Sequence, residues 1–367
     1  MNLSFIIYMA VFFSGLFYPK QDSTEICQQV ALSRNGKKFI LKKTHQEFHP
    51  WGMNYGHYGI LVKDFKDPAW DTLQSDFRKL KELGANVVRV HLQFDEFMLS
   101  ADTPNPKAIA GYKKLLKIAG KSGLYLDVTG LACYRPEHRL AWYDSLKERN
   151  RWKAQATFWS TVAGAGAGSP PIFCYDLINE PIIPGKSRKS GAWYTGHLGG
   201  YDFGQYITLE PRGRSKNEIG YEWISKMTEA IRKFDEHGLI TVGFLPWTRA
   251  AYIDTVASKL DFISAHIYPK TDHIEDAIKL LKNFDVQKPV VIEETFPLTC
   301  DTAQLADFMR RSHKIASGWM GHYLMSYSLK ELQSKNNKSM VEVIYQSWLE
   351  MFVRMKPQFS PESLNCK

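Results

Sequence analysis

Apolar and polar positions along this chain follow two periods that keep trading places. Short apolar runs, each closing on polar or charged residues, read as strands buried on both faces. Between them apolar residues recur every three or four positions, the spacing of one face of a helix. The pattern predicts strands at Pro50–Tyr55, Asn86–Leu92, Gly123–Thr129, Phe173–Pro181, Leu239–Leu245, Leu260–Ile267, Pro289–Glu294 and Gly321–Tyr327. Helices are expected at Trp70–Leu83, around Ile109, Tyr112, Leu116 and Ala119, and at Trp142–Val162, Ile219–Phe234, Ile274–Leu281, Ala303–Ala316 and Val341–Met355. Gly84 follows the first helix at a C′ position, and the Gly-, Ala- and Pro-rich stretch Ala163–Pro171 is expected to interrupt the third as a turn.

Eight strands alternating with helices predict an α/β fold, a single (β/α)8 barrel, over residues 49–356. The competing doubly wound sheet normally carries a Gly-rich phosphate turn after its first strand, and Gly52-Met-Asn-Tyr-Gly56 is not one. Residues 28–48 contain Asn35-Gly36 flanked by apolar residues, which predicts a β-hairpin with a type I′ turn, placed to cap the barrel floor. Met1–Tyr18 is apolar and uncharged, so residues 1–20 are expected to be a signal peptide of a secreted protein, an uncleaved anchor being the alternative. Residues 357–367 form a short tail. The stretch from Ile182 to about Arg214 is longer than a simple connection, and its Trp193, Tyr194 and Tyr201 are candidates for stacking on a ligand or for packing within the loop.

Composition changes this picture little. The chain has 367 residues, 44% hydrophobic and 23% charged, which suits one large globular domain, and a monomer is expected. Its net charge of +9 comes from scattered basic residues without a nucleic-acid motif, so a solvated basic surface is expected and no nucleic-acid partner. No P-loop, G-x-S-x-G or H-E-x-x-H occurs, and no metal or organic cofactor is expected. Of five cysteines, Cys27 and Cys366 near the two ends are candidates for a disulfide, and Cys174 reads as core packing.

Candidate chemistry lies at the strand ends, where a parallel barrel places its functional groups. The fourth strand closes on Asn179-Glu180-Pro181 and the seventh on Glu293-Glu294. In an eight-strand count those tips face each other across the mouth. Two carboxylates so placed suit glycoside hydrolysis, one giving a proton to the leaving oxygen while the other attacks or activates water. Alternation sends Glu293 and Glu294 to opposite faces, so only one is expected inside. Arg89 is a charge within an apolar strand and requires a partner, which a carboxylate at the mouth would supply. His266 and Tyr268 are two apart and share a face.

Together the pieces Asn86-Val-Val-Arg89-Val, Asp176-Leu-Ile-Asn179-Glu180-Pro181, His266-Ile-Tyr268 and Lys288-Pro-Val-Val-Ile-Glu293-Glu294 resemble glycoside hydrolase family 5, the cellulase-like branch of the retaining barrel glycosidases, over roughly residues 45–350. The resemblance implies a β-glycan substrate, with Glu180 as general acid/base and Glu294 as nucleophile. It further implies that Arg89 orients the nucleophile, that Asn179 binds the sugar 2-hydroxyl, that Tyr268 sits beside the nucleophile and that His266 hydrogen-bonds in the reacting subsite. Two departures stand out. Glu294-Thr-Phe-Pro297 lacks the family's glycine, and the eighth strand lacks its tryptophan platform, leaving Trp319, Tyr323 or Tyr327 as substitutes. The rival reading is an idle barrel that only binds glycans.

Overall fold

The computed structural model describes residues 28–56, 69–184 and 192–359. The leader, Cys27 and Cys366 fall outside them. Its core is a closed barrel of eight parallel strands: β3 (Trp51–Tyr55), β4 (Val87–Gln93), β5 (Tyr125–Ala132), β6 (Ile172–Asn179), β10 (Leu239–Phe244), β11 (Ile263–His266), β12 (Val290–Glu294) and β13 (Ala316–Tyr323). The antiparallel hairpin β1 (Val30–Leu32) and β2 (Phe39–Leu41) precedes it, and β7 (Pro181–Ile182), β8 (Tyr194–Leu198) and β9 (Tyr201–Tyr206) form a small sheet after the fourth barrel strand. The helices are α1 (Trp70–Glu82), α2 (Phe94–Phe97), α3 (Pro106–Lys121), α4 (Ala141–Asp144), α5 (Glu148–Gly166), α6 (Lys216–Arg232), α7 (Ala250–Ala257), α8 (Ile274–Leu281), α9 (Thr302–Ser312), α10 (Leu329–Ser334) and α11 (Met340–Phe359). Their starts carry chemical signals. Asn105 caps α3 ahead of Pro106, and Ser215–Glu218 and Asp301–Gln304 form capping boxes on α6 and α9. Among the described residues no helix is long and apolar enough to cross a membrane.

Three expectations shift. The last strand starts five residues earlier than predicted, at Ala316, so Trp319 lies mid-strand and buried and Tyr327 lies beyond the strand. Helix α5 runs through Ala163–Gly166 instead of breaking there, and its Gly166 packs against Ile172 and Tyr112 where a side chain has no room. In the hairpin only Gly36 has positive φ; the Gly36 N–H donates to the Ser33 carbonyl, making a type I-like turn closed by a left-handed glycine, not type I′.

The barrel interior is layered. Side chains that point inward from alternate positions form an apolar floor of Val87, Tyr125, Cys174, Leu239, Phe262, Val291 and Met320, onto which the hairpin packs Val30, Phe39 and Leu41. Phe39 meets Phe173 and Phe262 edge-on at 5.3 and 5.1 Å. One layer up, the barrel strands supply Asn54, Arg89, Asp127, Asp176 and Glu293, all buried. Above these lies the mouth.

Candidate active site

Arg89 organises the buried layer. Its Nη1 donates to Glu294 Oε1 at 2.6 Å and to Asn54 Oδ1 at 2.9 Å, while Nη2 donates to Asp176 Oδ2 at 2.7 Å and to Asn179 Oδ1 at 2.9 Å. Glu293 lies 3.5 Å from the same guanidinium. An unpaired buried charge is costly, and here burial alone would favour neutral Arg89, but Glu293, Asp176 and Glu294 raise its pKa well above the ordinary value. The expected carboxylate partner is therefore present, with two more beside it.

Both adjacent glutamates reach inside, contrary to strict alternation. Between β11 and β12 the pairing steps from Ala265–Ile292 to His266–Glu294, so Glu293 is skipped as a bulge. Asn54 Nδ2 holds the Glu293 carbonyl at 2.9 Å. The bulge turns Glu293 down into the barrel and leaves Glu294 at the rim. Glu293 meets His266 Nε2 at 3.2 Å, and one of its oxygens lies within 4.8 Å of a carboxyl oxygen of Asp127 and one of Asp176. Burial first, then the charges of Glu293 and Asp176, push the Asp127 pKa well up.

At the mouth His266 donates from Nδ1 to Glu180 Oε1 at 3.1 Å and stands 3.6 Å from Glu294. Burial would lower its pKa, but Glu294, with hydrogen bonds to Glu180 and Glu293, pushes it up to about 10, so both ring nitrogens donate. Tyr268 donates to Glu294 Oε2 at 2.6 Å. His322, from β13, lies parallel to the Tyr268 ring with its Nε2 at 2.7 Å from the phenol oxygen. Burial, which outweighs the attraction of Glu294, lowers the His322 pKa to about 4. The neutral ring thus carries its proton on Nε2 and donates to Tyr268, which donates to Glu294. Burial acts to raise the Glu294 pKa, but His266 and Arg89, helped by Tyr268, drive it well below the usual carboxylate range.

Glu180 sits differently. Its backbone is left-handed (φ 47°), an uncommon state for a residue with a side chain, and its N–H donates to the Gly243 carbonyl at 2.9 Å. Its side chain keeps about 21% exposure against 7% for Glu294. One oxygen of each carboxylate and a nitrogen of His266 lie within 4.8 Å of one another. A cavity of about 320 Å³ opens over them, lined also by Asn179, Tyr201, Tyr268, Phe296, His322 and Leu324.

All six residues singled out in the sequence therefore meet in one cluster. Asn179 is anchored on both sides, to Arg89 and, through Nδ2, to the Phe203 carbonyl at 2.9 Å. Of the loop aromatics, Tyr201 lines the cavity. Trp193 is buried, its indole N–H on the Asp144 carbonyl, and Tyr194 packs with Arg139 and Arg151, so these two hold the insertion together. His322 stands at the eighth-strand tip, the position for which Trp319, Tyr323 and Tyr327 had been candidates. Glu293 was weighed only as the alternative to Glu294 and Asp176 only as part of a motif, while His322, Asp127 and Asn54 escaped the sequence reading; the polar-within-apolar signal that exposed Arg89 was available for each.

The sequence matches the family described as cellulase (glycosyl hydrolase family 5) over residues 35–303. The chain belongs to glycosyl hydrolase family 5, and it is a glycosidase that hydrolyses O-glycosyl compounds. Similar solved structures include an exo-β-1,4-mannosidase from Opitutaceae bacterium strain TAV5 (TM-score 0.65, 16% identity, 90% of this chain and 62% of that one). A β-1,4-mannanase from the sea hare Aplysia kurodai (0.61, 14%, 92% and 100%) and a β-mannanase from the blue mussel Mytilus edulis (0.61, 18%, 92% and 99%) share the fold. This chain spans less than two thirds of the Opitutaceae protein. No curated protein matches the sequence.

Proposed function

We propose that this barrel is a retaining β-glycosidase in which Glu294 is the nucleophile and Glu180 the general acid/base. The observation that carries the reading is the close approach of the two carboxylates, within 4.8 Å oxygen to oxygen, the separation of enzymes that form a glycosyl-enzyme rather than of those that leave room for water between the acids. Their environments divide the roles. Glu294 is held ionised with a donor on each oxygen and attacks the anomeric carbon. Glu180, more open, gives its proton to the departing glycosidic oxygen, then takes one from the water that releases the sugar from Glu294. Asn179, fixed by Arg89 and Phe203, has one amide hydrogen left for the 2-hydroxyl. Both carboxylates and their partners are in place, which argues against an idle binding barrel. The similar mannosidase and mannanases make β-mannans the first substrates to try, ahead of β-glucans.

The test is hydrolysis of a panel of β-mannans, β-glucans and aryl β-glycosides by wild type and Glu294→Gln, with the first-formed anomer followed by NMR. We expect a β-configured first product and loss of turnover in the variant by at least about 10³-fold. An α-configured first product, or equal activity in both proteins, refutes the assignment.

A further inference from the structure

A second opening lies beside the Glu180 strand end. It is a groove of about 660 Å³ at the ends of β6 and β10, lined by Pro181, Ile182, Phe244, Trp247, Lys216 and Arg249 among others. It shares no lining residue with the cavity over the carboxylates, yet it begins at Pro181, the residue after Glu180, and Glu180 itself is tied to β10 through Gly243. In a retaining enzyme the leaving group departs past the acid, and a groove that begins at the residue after Glu180 is within reach of that group.

Its walls describe the occupant. Of the ten tryptophans only Trp247 is exposed, at 68%. Nothing in the fold requires an indole there, and a flat aromatic face beside a sugar-cleaving site is a platform for a pyranose ring. Lys216 and Arg249 stand on the same groove, their side chains have no ion-pair or hydrogen-bond partner among the described residues, and they are joined in the lining by no Asp or Glu. They are also badly placed for helix stability, as the first residue of α6 and the N-cap of α7, the ends where the helix dipole disfavours cations.

Building on the retaining mechanism above, we propose that this groove is a leaving-group subsite for an acidic sugar, its ring stacked on Trp247 and its carboxylate or sulfate facing Lys216 and Arg249. The same subsite receives acceptors in transglycosylation. There the acceptor hydroxyl oxygen bonds to the anomeric carbon, the bond to Glu294 breaks, and Glu180 takes the hydroxyl proton.

The test uses the β-glycosyl fluoride of whichever sugar the panel identifies, a leaving group too small to reach the groove. Methyl β-glucuronide and methyl β-glucoside serve as competing acceptors. The ratio of transfer to hydrolysis is read within each of wild type, Trp247→Ala and the double variant Lys216→Gln/Arg249→Gln. We expect wild type to favour the uronide about tenfold, a preference lost in about 0.5 M NaCl. Trp247→Ala should lose transfer to both acceptors, and the double variant should transfer to both alike. Undiminished transfer by Trp247→Ala, or a wild type that transfers to neither or treats both equally, overturns the proposal. If no fluoride is turned over, the retaining reading is what has failed. The groove is then judged by NMR titration with a glucuronate-containing trisaccharide: a saturable shift of the Trp247 indole signal supports it, and no shift overturns it.

Discussion

Glu180 and Glu294 carry the same functional group in unlike surroundings, and the difference is written in hydrogen-bond donors. Glu294 has Arg89 on one oxygen and Tyr268 on the other; Glu180 has His266. Each donor on Glu294 favours its anion, so removing one raises its pKa. Ionised Glu294 is the reactive form in the proposed mechanism, and activity falls as pH drops through that pKa. Tyr268→Phe should therefore move the acid limb of the kcat/KM profile to higher pH. It should also lower kcat/KM by roughly 10- to 150-fold at neutral pH, a charge-assisted hydrogen bond contributing about 1.5–3 kcal/mol. A profile that keeps its acid limb in place would show that Tyr268 acts on something other than Glu294. Arg89 and its partner were legible because a cation in an apolar strand has few ways to exist. His322 was missed because the apolar pattern set the eighth strand five residues late, which put this histidine at the strand's start and not at its tip.

At the level of elements, the alternation of apolar runs and helical stripes was enough to read the barrel, since each strand is buried on both sides and each helix on one. Register was harder. The bulge that skips Glu293 follows from pairing with β11 and from the Asn54 clamp, a contact between residues 239 positions apart, and no local pattern encodes it. The same crowding explains Gly243 on β10. A Cβ there would lie 2.8 Å from His266 Nε2, 2.9 Å from Glu293 Oε2 and 3.0 Å from Arg89 Nη2. Gly243→Ala is expected to destabilise the protein by about 1–3 kcal/mol and to lower kcat as the charged layer shifts. Thermal melting and steady-state kinetics on the variant check this, and a protein that melts and turns over like wild type would show that the layer yields without effect.

Across the whole molecule, stability and chemistry occupy opposite ends of one barrel. The floor is apolar and sealed by the hairpin; the mouth is charged and open. Phe39→Ala, at the floor, should cost about 3–5 kcal/mol by leaving a cavity against Phe173 and Phe262, and kcat/KM should stay at the wild-type value. Loss of activity in parallel with melting temperature would mean that the two ends are coupled. The small β7–β9 sheet meets the charged cluster differently. Asn179 is held by the carbonyl of Phe203, a main-chain atom that every amino acid possesses. Descendants of this protein can thus exchange a side chain such as Tyr201, which lines the cavity, and with it the wall that the substrate meets, while the residues proposed to break the bond keep their footing. Over evolutionary time such a chain drifts in what it recognises long before it drifts in what it does.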